Sequence, residues 1–178
     1  MILRIFFRTI FFLLLAVFQM SFISGLPYGL RELNVLIIFM VLFLEVDAGH
    51  GAVWWMFLVG LVFGLYNSFF FPVFILFWPL VFLFCRFLYS NLLTNRSLYS
   101  FFGLAVFTTW FYHLFFRSAV YLIDVFLGVE TGFFLFDGDF WLSLLWATVL
   151  NAAGVFISFS LINQISNRLK PVFIFRKK

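Results

Sequence analysis

Charged residues are scarce in this sequence, and their scarcity excludes a soluble fold. Only 10% of the 178 residues are Asp, Glu, Lys or Arg, whereas an ordinary soluble domain carries about 25%. Hydrophobic residues make up 66% of the chain, and the mean hydropathy is +1.17. The few charges lie at the ends of long apolar runs instead of alternating along helix faces. This distribution predicts an integral membrane protein.

Cysteine and the common catalytic motifs are also lacking. Cys85 is the single cysteine, so an intrachain disulfide is impossible and a cysteine-based metal cluster is excluded. The sequence contains no HExxH motif, no serine nucleophile elbow and no paired aspartates within an apolar run. The segment EVDAGH offers Glu45, Asp47 and His50, a set too small for a metal site and typical of a solvated turn. We therefore expect no enzymatic activity, no cofactor, no metal and no nucleic-acid partner.

The longest uncharged run, Gly51 to Cys85, is too long for one transmembrane helix. Its 35 residues would extend about 52 Å as a helix, against a hydrocarbon core of about 30 Å. Tyr66 and Asn67, followed by Pro72, mark the break between two helices. The alternation typical of a membrane barrel strand is absent. The apolar runs together predict an all-α bundle of six transmembrane helices, over residues 5–24, 33–46, 51–66, 69–88, 98–117 and 140–164.

The basic residues predict the orientation of these spans, because short loops rich in Lys and Arg stay in the cytoplasm. With the N-terminus inside, 9 of the 11 basic residues are cytoplasmic, and only Arg31 and Arg117 lie outside. Both termini are then cytoplasmic, and residues 167–178 form a basic tail. The second span is the shortest, with 12 uncharged residues from Leu33 to Leu44. Without it, every later loop would change sides and seven basic residues would be exported.

Two sets of small residues mark faces on which membrane helices approach closely. Gly60 and Gly64 form a GxxxG pair on the third span, which either packs within the bundle or forms a surface for a partner protein. On the sixth span one stripe recurs at steps of four, three and four residues, and it consists of Ala147, Asn151, Gly154 and Ser158. We expect Asn151 to form a hydrogen bond across a helix interface.

A line of polar residues on the fifth span is the strongest candidate for a functional site. Thr109, His113 and Arg117 follow one another at intervals of four residues along one helix face. An ionisable residue inside a membrane indicates function by default, because its burial is costly unless it is paired. Arg117 also lies near the end of its span, where a long side chain can reach the interface, so a purely structural role is the alternative.

The order of features from Gln19 to about Arg96 resembles the family of the rod shape-determining protein MreD. The chain is similar to that family in size and in its number of spans, with a polar residue before an apolar second span in RELNVLIIFMVLFLEV. A small-residue turn and a glycine-rich third span follow. The stretch GLVFGLYNSFFFP is similar to the family pattern at the end of that helix. The acidic residue of that pattern is missing, and Asn67 lies nearest to its position.

The resemblance implies a non-enzymatic scaffold of the cell-wall elongation machinery in the bacterial inner membrane, contributing to cell shape. Such a protein works beside a membrane-anchored periplasmic partner and wall-synthesis proteins, so its expected partners are other membrane proteins and lipids. The basic tail, NRLKPVFIFRKK, has a composition suited to anionic lipid headgroups or serves only to anchor the topology.

A transport role is the alternative from a different class. The substrate-binding membrane subunits of energy-coupling-factor vitamin transporters are similar to this chain in size and are also six-helix bundles. A protein of that class would use an internal pocket, lined here by Thr109, Tyr112, His113 and Asn151. Neighbouring genes for wall-elongation proteins would favour the scaffold, and a transporter ATPase gene or a vitamin riboswitch would favour transport.

Overall fold

A computed structural model describes the backbone of residues 2–46, 52–66, 71–91, 98–127 and 136–174, and the side chains of residues 6–44, 52–66, 73–91, 98–126 and 136–164. The described residues form six α helices and no β strand, which confirms the all-helical class. The helices are α1 (Ile2–Ser21), α2 (Val35–Val46), α3 (Ala52–Tyr66), α4 (Phe71–Asn91), α5 (Leu98–Leu127) and α6 (Gly138–Ile174). Two short 3₁₀ helices, Ile23–Gly25 and Leu30–Glu32, lie between α1 and α2.

Four of the six helices, α1, α4, α5 and α6, are long and apolar enough to cross a membrane, which indicates a membrane protein. α5 has 30 residues and α6 has 37, so they extend about 45 Å and about 55 Å, beyond a hydrocarbon core of about 30 Å. α3 is apolar but has 15 residues, and α2 has 12. At 1.5 Å per residue, neither of these two crosses such a core by its own length.

Several helices extend past the ends of the predicted spans. α5 continues from residue 117 to Leu127, and α6 continues to Ile174, into the segment expected to form the tail. The prediction ended the fifth span at Arg117 and the sixth at residue 164, because it followed the apolar runs. A helix can continue beyond such a run, since its backbone hydrogen bonds lie within the helix itself. α1, in contrast, ends at Ser21 instead of residue 24, ahead of a 3₁₀ turn and Pro27.

Ring contacts give the direction of the first three helices. The Arg8 guanidinium, near the start of α1, lies 5.8 Å from the centre of the Phe43 ring near the end of α2. Phe12 stacks on Trp55, near the start of α3, with ring centres 6.1 Å apart. The start of α1, the end of α2 and the start of α3 therefore lie at the same end of the bundle.

The last three helices also alternate in direction along the bundle. Phe63 near the end of α3 pairs with Phe74 near the start of α4, with ring centres 5.9 Å apart. Tyr89 near the end of α4 lies 6.3 Å from Phe101 near the start of α5. Phe101 in turn lies 5.2 Å from Phe159 in the later part of α6. Each helix therefore runs opposite to the one before it in the chain.

α2 lies at the centre of the bundle, in contact with α1, α4, α5 and α6. Its side chains Leu36, Ile37, Met40 and Val41 are at most 2% exposed. A helix that is apolar on all sides is stable only when surrounded by other apolar surface, which explains why the shortest helix takes the innermost position. The segment predicted as the second span is therefore a core element of the fold.

α3 and α4 form a tight hairpin at the GxxxG pair. A Cβ atom added to Gly60 would collide with the Phe74 carbonyl oxygen and would lie 3.0 Å from the Ile75 Cα. The contact lies one turn before Pro79, a residue inside α4 that cannot donate a helical hydrogen bond to the Ile75 carbonyl. Gly64, one turn after Gly60, is also buried. The GxxxG pair thus packs within the bundle.

Candidate functional site

The start of α2 is buried, and its first backbone N–H groups bind side chains instead of water. These groups lack intrahelical acceptors and need partners from elsewhere in the protein. Asn34 caps the helix, because its side-chain oxygen accepts a 3.2 Å hydrogen bond from the Ile37 N–H. Gln19 of α1 accepts from the Val35 N–H at 2.8 Å and donates to the Leu33 carbonyl at 3.0 Å. Gln19 therefore holds the start of α2 against α1, while Asn34 caps α2 itself.

Asn151 of α6 connects the same junction to α5. Its Oδ1 accepts a 2.7 Å hydrogen bond from the Asn34 N–H, and its Nδ2 donates to Thr109 Oγ1 at 3.1 Å. Asn151 and Thr109 are both fully buried, so loss of either partner would leave a polar group unsatisfied. Gln19, Asn34, Thr109 and Asn151 form a polar network that links α1, α2, α5 and α6.

A polar cavity of about 730 Å³ adjoins this network, at the end of the bundle where α5 ends and α6 begins. Gln19 and Asn34 of the network form part of its wall. Tyr112, His113 and Phe116 contribute the wall from α5. The rest comes from the later part of α5, from the segment between α1 and α2, and from the first turns of α6. Its volume is in the range of small-molecule sites.

An ion pair joins α5 to the start of α6 at the cavity wall. Arg117 Nη2 lies 3.3 Å from Asp137 Oδ2, and the guanidinium lies 5.8 Å from the centre of the Phe140 ring. The second carboxylate oxygen of Asp137 accepts a 2.9 Å hydrogen bond from the Phe140 N–H and so caps α6. The Arg117 side chain is 19% exposed, and the neighbouring carboxylate lowers the cost of holding its charge there. Arg117, the last residue of the predicted polar line, therefore joins α5 to the start of α6.

Glu32 brings a second carboxylate to the cavity from the segment between α1 and α2. Its side chain is 17% exposed, whereas that of the neighbouring Arg31 is 50% exposed. Arg31 Nε lies 3.4 Å from Glu32 Oε1, and the Arg31 guanidinium lies 5.1 Å from the centre of the Tyr28 ring. A single long contact to a half-exposed neighbour stabilises the carboxylate only weakly. Glu32, Tyr112 and His113 share the cavity wall.

The structure brings the predicted polar line of α5 together with the predicted stripe of α6. Thr109 binds Asn151 beside the cavity, whereas His113 and Arg117 line it. Of the pocket expected for a transport subunit, Tyr112 and His113 line the cavity. Thr109 and Asn151 instead belong to the polar network next to it.

The other members of the α6 stripe pack inside the chain. Ala147 is fully buried, and Ser158 is half-buried. Gly154 faces α2, because a Cβ atom added there would collide with the Ile38 Cδ1 atom. The stripe therefore lets α6 approach the central helix closely. Nothing in these contacts involves the cavity.

Sequence reasoning missed Gln19, Glu32, Asn34 and Asp137. Gln19 interrupts an apolar run, and Asn34 directly precedes one, which are the signals of an intramembrane polar contact and of a helix N-cap. Asp137 likewise precedes the start of α6. Glu32 carries no such signal, because its position depends on how the segment between α1 and α2 folds.

Comparison of the chain with family models, with curated proteins and with solved structures gave no match. Asp47, His50 and Asn67, which entered the sequence interpretation, lie outside the described residues. Within the described part of the chain, no three His, Cys, Asp or Glu residues are grouped so that they could hold a metal ion.

Proposed function

We propose that the protein spans the bacterial cytoplasmic membrane six times, with both termini in the cytoplasm. The alternating direction of all six helices supports this topology, although α2 and α3 are short. The two basic residues left on the outer side, Arg31 and Arg117, line one cavity, and each lies beside a carboxylate. Such pairing lowers the cost of leaving a cation on that side.

Within this membrane we propose a non-enzymatic scaffold role in the cell-wall elongation machinery. The observation that carries it is the surface of the described helices, which bears large exposed apolar side chains such as Phe7 and Leu14 on α1, Trp54 on α3 and Phe107 on α5. A protein of this kind contacts lipids and other membrane helices through these faces. The family resemblance of the segment from Gln19 to about Arg96 suggests which machinery the scaffold would serve.

Depletion of the protein in its native rod-shaped host tests the scaffold role. A scaffold holds membrane proteins in register without performing a chemical step, so its loss should disperse fluorescently labelled wall-elongation proteins and round the cells. Re-expression of the parent chain should restore both. Normal cell shape with a growth defect cured by one nutrient would refute the scaffold.

The cavity favours a second candidate, a substrate-binding membrane subunit of an energy-coupling-factor type vitamin transporter. Tyr112 and His113 lie in the wall of an approximately ligand-sized cavity, as that class requires. Protein purified from its host should then retain a small molecule through detergent washing, detectable by mass spectrometry. His113→Leu should lose it, and Thr148→Val, which does not line the cavity, should keep it. A parent chain that carries no small molecule would exclude this function.

A further inference from the structure

We propose that the polar cavity binds an organic cation, namely a protonated amine or a guanidinium group on an apolar stem. This binding goes beyond the scaffold role, because a scaffold role requires no ligand in the cavity. The same chemistry is presented by a free amine and by a basic side chain of a partner protein.

The charges of the cavity wall favour a positive occupant. Three carboxylates and two guanidinium groups line it, and they belong to Glu32, Asp137, Asp139, Arg31 and Arg117. Each arginine lies beside one of the carboxylates. With the imidazole of His113 neutral, the wall therefore carries one negative charge more than positive charges. A cleft with an excess of one sign concentrates ions of the opposite sign and repels those of the same sign.

Glu32 is the carboxylate best suited to hold the cation. Its side chain is 17% exposed, and its contact with the half-exposed Arg31 spans 3.4 Å. A charge pair shielded from water is stronger than the same pair at the surface, so a cation beside Glu32 gains more than one beside an exposed carboxylate. Asp137, in comparison, already binds both Arg117 and the Phe140 N–H.

Aromatic rings around the cavity supply faces for the same occupant. Two of the lining rings already contact a cation. The guanidinium of Arg31 lies over Tyr28, and that of Arg117 lies over Phe140. Tyr112 is a further lining ring and shares the wall with Glu32. A cation over an aromatic face is stabilised by the ring quadrupole, and the apolar stem of the ligand would pack on the same ring.

Three probes that share an aromatic ring and differ in charge test the proposal on the purified full-length protein. Benzylammonium should raise the midpoint of thermal unfolding in detergent, because a ligand that binds only the folded state stabilises it. Benzyl alcohol and benzoate should have little effect at the same concentration. An equal shift with the alcohol or with benzoate would overturn the proposal.

Two variants connect the effect to the cavity. Glu32→Gln should weaken benzylammonium binding about tenfold, as expected for loss of one partly buried charge contact. Asp124→Asn, which changes a carboxylate of α5 outside the cavity wall, should bind like the parent. If Glu32→Gln does not fold, Asp139→Asn at the exposed first turn of α6 replaces it, with a smaller expected weakening of about threefold. Unchanged binding in a folded cavity variant would refute the site.

The source of the cation is decided by comparing butylammonium with a lysine blocked at both ends as N-acetyl-lysine N-methylamide. About tenfold tighter binding of the blocked lysine would indicate a partner side chain, because the peptide group then contributes contacts. Tighter binding of butylammonium would indicate a free solute. Failure of both to bind would overturn the proposal. This experiment does not depend on cell shape, so it can fail while the scaffold role stands.

Discussion

Asn151 accepts a 2.7 Å hydrogen bond from the backbone N–H of Asn34, although 117 residues separate them in the chain. The contact satisfies a donor at the point where the central helix α2 begins. It also fixes α6 to that point, while the side-chain amide nitrogen of Asn151 fixes α5 by donating to Thr109. A single side chain therefore holds together three helices beside the cavity.

Replacement of Asn151 should destabilise the fold strongly. Asn151→Leu leaves the Asn34 N–H and the Thr109 hydroxyl without this partner in a buried environment, which should cost about 2 kcal/mol of unfolding free energy. Thr148→Val on the same helix removes an exposed bond to the Trp110 indole and should cost less than about 1 kcal/mol. Unfolding in mixed detergent micelles measures both. Equal costs would contradict a central role for the polar network.

Gly60 should tolerate no side chain. Gly60→Ala drives a Cβ atom into the backbone of α4 and should destabilise the protein by about 1–3 kcal/mol. Gly103→Ala in α5 is the matched control, because a Cβ atom there meets no atom within 4 Å. It should be neutral or should stabilise by up to about 1 kcal/mol through helix propensity. Similar unfolding midpoints for the two variants would rule out the close contact between α3 and α4.

Asp137 makes two contacts that two substitutions can separate. Asp137→Asn removes the charge facing Arg117 but retains an oxygen that can cap α6, so it should cost less than about 1 kcal/mol. Asp137→Ala removes the cap as well and should cost about 1 kcal/mol more. Arg117→Ala should cost less in the Asp137→Asn background than in the parent, since the ion pair is already lost there. If the Asn and Ala variants unfold alike, the cap does not contribute.

Reporter fusions should reveal the orientation of the chain. Fusions after residues 30, 50, 68, 92, 134 and 178 should report outside, inside, outside, inside, outside and inside, as the distribution of basic residues requires. Paired alkaline phosphatase and fluorescent protein reporters at each position control for expression. A cytoplasmic signal at residue 134 would exclude six spans and would relocate Arg117.

The sequence by itself determined the class of the protein and the approximate position of its helices. Both follow from local properties, namely the scarcity of charge and the length of each apolar run. The spacing of Asn151 and Gly154 on α6 also indicated a contact face, and both residues do face α2. These features need no information about distant parts of the chain.

Only the tertiary structure decided which groups meet. Glu32 and His113 share a cavity wall, and Arg117 pairs with Asp137, because the packing of α5 and α6 against the segment before α2 brings them together. The innermost position of α2 was also undetermined, since a short apolar run can lie at the edge or at the centre of a bundle. The partner of a buried polar group depends on helix positions, and those are set by packing across the whole chain rather than by neighbouring residues.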